Sequence, residues 1–326
     1  MGTKLTIGKA INAGLRAAME HDPKVLIMGE DVGKLGGVFR VTDGLYKDFG
    51  ADRVMDTPLA ESGIVGTAIG MALRGYRPVV EIQFDGFFFP STNQTFTQLA
   101  KMRRRSAGAL SVPLVMRIPY GGGIGAVEHH SESPEAYFMH TAGLRVVTVA
   151  NPEDAYWMTQ QAIRSEDPVI FLEPKRRYYE RAEVDTTAPI TQATPMGAAR
   201  VARPGTDATV LAYGPMVKTA LQAAEADTDR SLEVIDLRSL APVDYPTVME
   251  SVKKTGRLVV THEATLTGGP GAEIAARVTE ECFYHLESPV IRVAAYDTPY
   301  PQSRLEEHYL PDLDRVLDGV DRTFAY

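Results

Sequence analysis

Three short stretches of this sequence hold side chains able to bind and activate a ligand. Asp56-Thr57-Pro58-Leu59-Ala60-Glu61-Ser62-Gly63 sets a carboxylate at the start of a run of small apolar residues. Gln83-Phe84-Asp85-Gly86-Phe87-Phe88-Phe89-Pro90 sets an amide and a carboxylate among four aromatics. His129-His130-Ser131-Glu132 follows a glycine-rich segment, Gly121-Gly122-Gly123-Ile124-Gly125-Ala126. A carboxylate and an imidazole can exchange protons near neutral pH, and an aromatic face can stack on a planar ring. Each stretch also has a plainer explanation. An acidic residue is favoured at a helix start by the helix dipole, an aromatic run belongs in a core, and a loop histidine is commonly solvated.

Other chemistries fit less well. Gly121 to Ala126 has the form G-x-G-x-x-A, but Val127-Glu128-His129-His130-Ser131 follows instead of an apolar-periodic helix, so a dinucleotide site is poorly supported. A glycine loop that lets backbone approach a ligand is the simpler expectation. There is no Walker sequence and no Cys-x-x-Cys, and His262-Glu263 lacks a second histidine of a zincin motif. The formal net charge of -8 argues against nucleic acid or an anionic membrane as partner. No apolar run approaches the roughly 18 residues of a membrane span. The start Met1-Gly2-Thr3-Lys4-Leu5-Thr6 matches a myristoylation pattern only formally, because an amphipathic helix begins at once. The single cysteine, Cys282, cannot form an internal bridge, which points to a reducing, cytoplasmic setting.

Strand-like and helix-like segments alternate along the 326 residues, a length that favours two domains. Helical spacing covers 6–20, and short apolar runs cover 25–28 and 77–84. Small apolar residues 61–73 predict a closely packing helix, and 91–106 another. Runs 113–119, 144–150 and 169–172 are β-rich, and Asn151-Pro152 opens a helix over 152–165. Near-continuous apolar strands separated by helices predict a parallel sheet covered on both faces. Residues 174–195 are charged, then rich in Thr and Pro, and are expected to cross the surface as a linker. The alternation then restarts, with strands at 208–213, 232–236, 257–261 and 290–293 and helices at 216–226, 245–253 and 271–281. The expected division is 1–175, a linker 176–195, and a smaller α/β domain 196–326. Glu30, Glu61, Gln83 to Phe87 and the His130 loop all follow predicted strands, and in open α/β sheets ligands bind outside the carboxyl ends of the strands.

Several long motifs in order resemble one family. Gly29-Glu30-Asp31-Val32 with Gly36-Gly37-Val38-Phe39-Arg40, then Thr57 to Gly66, Glu81-Ile82-Gln83-Phe84 and His129 to Glu135, are similar to the β subunits of thiamine-diphosphate-dependent 2-oxo acid dehydrogenase E1 components. The resemblance spans nearly the whole chain. It implies a transketolase-like fold, with a pyrimidine-binding domain followed by a transketolase C-terminal domain. It implies that Glu61 hydrogen-bonds N1′ of the cofactor's aminopyrimidine, favouring the tautomer that removes the thiazolium proton. Burial beside Leu59 and Phe87 is expected to favour the protonated acid there. Phe87 matches the aromatic that stacks on the pyrimidine, and Glu30, Leu59 and Gln83 match other pocket residues. His130, directly before the serine, matches the histidine of proton transfer or lipoyl docking during reductive acylation.

The chain has no Gly-Asp-Gly, the motif by which such enzymes hold Mg2+ and diphosphate. The resemblance therefore implies a separate α subunit, an α2β2 heterotetramer and an E2 acyltransferase that docks near Asp297. It also implies a monovalent cation such as K+ at Leu114, Ala162, Ser165 and Asp167. Val115 stands where relatives can place threonine and Ser165 where aspartate is common, which leaves backbone oxygens as the expected ligands. Thr261-His262-Glu263-Ala264, Leu266-Thr267-Gly268-Gly269, Glu280-Glu281-Cys282-Phe283 and Tyr296-Asp297-Thr298-Pro299 resemble branched-chain members more than pyruvate dehydrogenases. A pyruvate-type E1 β, a fragment of a transketolase or deoxyxylulose-phosphate synthase, and a non-catalytic α/β scaffold are the alternatives.

Overall fold

A computed structural model describes residues 2–326. The first half supplies β1 (Thr3–Thr6), β2 (Val25–Gly29), β3 (Val54–Asp56), β4 (Arg77–Glu81), β5 (Val115–Tyr120), β6 (Arg145–Thr148) and β7 (Val169–Pro174). The second supplies β8 (Arg181–Val184), β9 (Arg200–Arg203), β10 (Ala208–Ala212), β11 (Leu232–Asp236), β12 (Ser239–Ala241), β13 (Leu258–Thr265) and β14 (Ile291–Ala295). The larger sheet runs β12-β6-β7-β5-β4-β2-β3. Only β12 is antiparallel to its neighbour in that sheet. Strands β2, β5 and β7 are buried along their whole length, which explains why they are apolar apart from Arg117 on β5 and Glu173 on β7. Because β2, β3, β4 and β5 are parallel, the loops leaving their carboxyl ends share one rim.

Local chemistry sets the covering helices. Thr6 caps the helix Ile7–His21 by accepting from the Lys9 amide at 3.2 Å. That helix packs on the helix Pro152–Arg164. Their contact is close because a Cβ at Gly14 would lie 2.7 Å from the Tyr156 carbonyl oxygen. Asn151 caps the second helix, accepting from the Asp154 amide at 2.9 Å, with Pro152 in its first turn as expected. The helix Glu61–Leu73 has the predicted bounds.

Three segments differ from expectation. The strand predicted over 77–84 ends at Glu81, and the chain turns through a 3-10 segment, Asp85–Ser91. The helix predicted over 91–106 is a π-helical Asn93–Leu99 followed by an α-helical Ala100–Arg105. Residues 174–195 do more than cross the surface. Within them β8 pairs antiparallel with β1, and Lys175, Tyr178 and Val184 are buried. β1 and β8 form a two-stranded edge pair with few buried positions, so they carry little hydrophobic alternation.

The second sheet runs β14-β13-β10-β11-β9, parallel except for β9. The two halves are joined by more than a linker. β12 leaves the second half to extend the first sheet beside β6, and one apolar cluster runs from Leu26 and Ile64 to Val260 and Ile274. Arg238, fully buried, donates to Asp154 Oδ1 at 3.0 Å and to the Ala198 carbonyl at 2.6 Å. No helix of the described residues is long and apolar enough to cross a membrane.

A charged network lies inside the larger sheet. Arg117 on β5 donates from Nη1 to Glu81 Oε2 on β4 at 2.7 Å, and from Nε to Glu173 Oε1 on β7 at 2.6 Å. The Tyr178 hydroxyl donates to Glu173 Oε2 at 2.5 Å. Burial pulls the guanidinium toward its neutral form, but Glu173 and Glu81 outweigh it and hold Arg117 above its ordinary value. Losing the cation would strand two buried carboxylates. Arg117→Met is therefore expected to cost about 3–5 kcal/mol in chemical denaturation; a loss below about 1 kcal/mol would show that the network is not held by this cation.

Candidate active site

The rim gathers the predicted residues. Glu30 follows β2 directly and is 8 % exposed. The Gln83 amide, after β4, donates to the Glu30 carbonyl at 3.3 Å and to Asp31 Oδ2 at 3.2 Å, tying the two loops together. Asp56, the last residue of β3, accepts from the Gly33 amide at 2.6 Å. A Cβ at Gly33 would fall 2.7 Å from Asp56 Oδ2, so this brace needs glycine. Glu61 is the first residue of its helix and is also 8 % exposed. Among the described residues no side chain or amide donates to its carboxylate. Burial, then the charges of Glu61 and Asp31, raise Glu30 above the ordinary carboxylate value. Glu30 and Glu61 therefore feel each other across the rim.

Leu59 departs from expectation. It is 79 % exposed and does not cover Glu61 within this chain, because Pro58 and Leu59 precede the helix on an open loop. Phe87 lies on the 3-10 turn against which the Glu61 helix packs. Its ring stands 5.7 Å from Phe84, 5.1 Å from His130 and 6.1 Å from His129, centre to centre. The histidine turn comes this close because residue 86 is glycine: a Cβ there would lie 2.4 Å from the His129 carbonyl oxygen.

His130 is partly buried, its ring 4.0 Å from that of Phe84, and its Nδ1 is buried without a partner. Burial lowers its pKa first, then His129 and Lys175, against Glu128. His129 is more exposed and lies 3.6 Å from Glu128. One further residue of this region, Lys175, went unnoticed in the sequence, and Asp85 stood there only as part of the aromatic stretch. Asp85 and Lys175 form a fully buried ion pair behind Phe84. The only hint of Lys175 was its place just after an apolar strand.

The glycine loop is engaged by the protein itself. The Gly123 and Gly125 amides donate to Glu306 at 2.8 and 2.9 Å, and the Gly122 amide donates to Glu263 at 3.1 Å. Gly123 and Gly125, both at positive φ, and Gly122 form a nest whose anions are two carboxylates of the second half, so these amides are already engaged within the chain. A cavity of about 330 Å³ lies next to this junction, between Ser131–Tyr137 and Glu263–Gly269. His262 is fully buried and its pKa falls to about 4, chiefly through burial. The Gly271 amide donates to its Nε2 at 3.0 Å while its Nδ1 donates to the Ala264 carbonyl at 3.0 Å, a bracing role.

The expected cation ligands lie at the opposite end of the strands from the rim. The Leu114 carbonyl accepts from the Val169 amide at 2.9 Å and that of Ala162 from the Ser165 amide at 3.1 Å. The Ser165 carbonyl accepts from Arg77 at 3.2 Å, and the Asp167 carbonyl accepts from Ser165 Oγ at 2.9 Å. The Asp167 carboxylate pairs with Arg103. Each oxygen has a protein donor, one of them a guanidinium. Among the described residues, no group of three or more His, Cys, Asp and Glu side chains is placed to hold a metal ion.

Comparison with known proteins gives the family of the chain. The family described as the transketolase pyrimidine-binding domain matches residues 3–180, and the transketolase C-terminal domain family matches 197–316. The pyruvate dehydrogenase E1 component subunit beta of Leifsonia xyli is 63 % identical, covering 99 % of this chain and 95 % of that protein. This chain belongs to the E1 β family. The 3-methyl-2-oxobutanoate dehydrogenase subunit beta of Mycobacterium tuberculosis is 56 % identical, over 98 % of this chain and 91 % of the relative. The 2-oxoisovalerate dehydrogenase subunit beta of Pseudomonas aeruginosa is 46 % identical, over 96 % and 93 %. A solved structure of a split-gene transketolase in an inactive β4 tetramer shares the fold, with a TM-score of 0.79 at 21 % identity over 98 % of both chains.

One buried acid of this E1 β chain gives a pH test of the junction. Tyr213 donates its hydroxyl to Glu135 Oε1 at 2.7 Å, and Oε2 has no partner. Burial raises Glu135 from 4.5 to about 7. The folded carboxyl stays protonated where the unfolded one ionises, so its stabilisation is complete below 4.5 and lost as pH rises through about 7. Glu135→Gln keeps an acceptor for Tyr213 and removes the titration. Its stability relative to wild type is expected to rise by roughly 1–3 kcal/mol between pH 5 and pH 8. Parallel pH curves in thermal denaturation would contradict this.

Proposed function

We propose that this chain, paired with an E1 α subunit, forms the thiamine-diphosphate site of a 2-oxo acid dehydrogenase. The observation that carries the proposal is the unpartnered Glu61 carboxylate at a helix start on the rim, near Glu30, on a helix that packs against the turn carrying Phe87. These residues fit the pyrimidine half of the cofactor. Glu61 would hold N1′, Phe87 would stack on the ring, and Glu30, Gln83 and Leu59 would line the pocket. Exposure of Leu59 supports a pocket completed by a second chain. Without a Gly-Asp-Gly motif, this chain leaves diphosphate and Mg2+ to the α subunit. The backbone carbonyls of Leu114, Ala162, Ser165 and Asp167 each accept from the protein and have a second lone pair, so a monovalent cation such as K+ held there through backbone oxygens is part of the proposal.

Bound thiamine diphosphate supplies the electron sink that lets carbon dioxide leave the 2-oxo acid. Glu61 holds the proton at N1′ that tunes the aminopyrimidine. His130, whose pKa is lowered by burial, then by His129 and Lys175, accepts or returns a proton as the acyl group passes to the lipoyl group of E2. The assembly is an α2β2 heterotetramer, with E2 docking on the second half near Asp297, whose oxygens are braced by Thr267. The single cysteine, buried and unbridged, supports a cytoplasmic setting.

The substrate is a branched-chain 2-oxo acid, on the motifs of the second half and two of the relatives. The Leifsonia relative favours a second reading, pyruvate. Dye-linked decarboxylation of 3-methyl-2-oxobutanoate beside pyruvate, in the reconstituted assembly, separates them: preference for the branched acid is expected, and preference for pyruvate overturns that assignment. In the same assay Glu61→Gln should lower decarboxylation at least about 100-fold with folding intact. Near-normal turnover would remove Glu61 from cofactor activation.

A further inference from the structure

The ammonium group of Lys175 has no solvent contact, and neither has the carboxylate of its partner Asp85. Two charges buried so deeply carry a large desolvation cost, offset only by close pairing and added hydrogen bonds. Those added bonds lead to the histidine turn. Asp85 Oδ2 accepts from the Glu132 amide at 2.8 Å, two residues after His130, and the Pro119 carbonyl on β5 accepts from Lys175 at 3.3 Å. A second path runs through the rings. Lys175 Nζ lies 5.8 Å from the centre of Phe84, and Phe84 packs 4.0 Å from the His130 imidazole. The pair thus binds the segments after β4, β5 and β7 at the place where they support one imidazole.

We propose that the Lys175–Asp85 ion pair is the positioning element of His130, fixing both the turn that carries the imidazole and the charge field in which it takes up a proton. The proposal rests on His130 acting in acyl transfer. The titratable groups around His130 are His129 and Glu128 on its own turn, Glu132 beyond it, and Lys175 with Asp85 from the neighbouring segments. Of these, His129 and Lys175 disfavour the imidazolium and Glu128 favours it. Deleting the pair removes the Lys175 charge that disfavours the imidazolium together with the adjacent Asp85 carboxylate, whereas Lys175→Met removes the cation alone.

The test uses the α–β assembly with thiamine diphosphate, Mg2+ and a lipoyl domain as acceptor. Acyl transfer and dye-linked decarboxylation are followed against pH for His130→Ala and for the double variant Asp85→Asn/Lys175→Met. Asparagine keeps an acceptor for the Glu132 amide, and the double variant buries no charge, so it is expected to fold. The expected result is an acyl-transfer inflection raised above that of wild type, with acyl transfer falling roughly tenfold further than decarboxylation. Lys175→Met alone moves the inflection in the same direction, and Lys175→Arg restores most of the acyl transfer. An inflection that stays in place while both half-reactions fall equally overturns the proposal. Acyl transfer that survives in His130→Ala with its inflection intact instead overturns the role of His130. Loss of the inflection in His130→Ala, with none of the pair variants moving it, overturns the role of the pair alone.

Discussion

Arg117 sits on the central strand of the larger sheet, between carboxylates on the strands to either side. Parallel pairing sends β4, β5 and β7 in the same direction, and this one guanidinium fastens all three near the ends where their loops depart. Each of those loops contributes to the rim: Gln83 to Phe87 after β4, the glycine loop and His130 after β5, and Lys175 after β7. A strand that shifted would move its loop relative to the others. The same network could not be replaced piecemeal, because a buried carboxylate without its cation is costly.

The second half of the chain is built onto this frame through polar contacts as well as apolar ones. Glu306 and Glu263 accept from amides of the glycine loop, so carboxylates of one domain shape a loop of the other. Arg176, next to Lys175, pairs with Glu263. The segment after β7 therefore reaches in two directions, toward His130 through Lys175 and toward the second sheet through Arg176. What remains open is the outer side of the rim, where Leu59 and the Glu61 carboxylate lack partners. That openness is what a pocket shared with another chain would show.

Much of this was legible in the sequence. Long apolar strands such as Val169–Pro174 and amphipathic helices such as Met216–Ala226 are set by periodicity and caps, which are local properties. Glu30, Glu61, Gln83, Phe87 and His130 stood out through the resemblance to E1 β subunits, and parallel topology gathers the loops that carry them at one rim. The features that stayed hidden depend on distant partners. β12 has three residues and takes its place only beside β6. Lys175 reads as one charge in a charged stretch until Asp85, 90 residues earlier, is placed against it. The glycine loop looked free because its carboxylate partners lie far along the chain, and the exposure of Leu59 follows from a loop geometry that no pattern of residue types encodes.

The central claim is that this chain holds only the pyrimidine half of a cofactor site shared with another subunit. Titration calorimetry of thiamine diphosphate with Mg2+ tests it most directly, on the isolated chain, on the α subunit, and on the two together. The account predicts stoichiometric binding only in the mixture, weakened by Glu61→Gln. Equally tight, Mg2+-dependent binding to the isolated chain would contradict it.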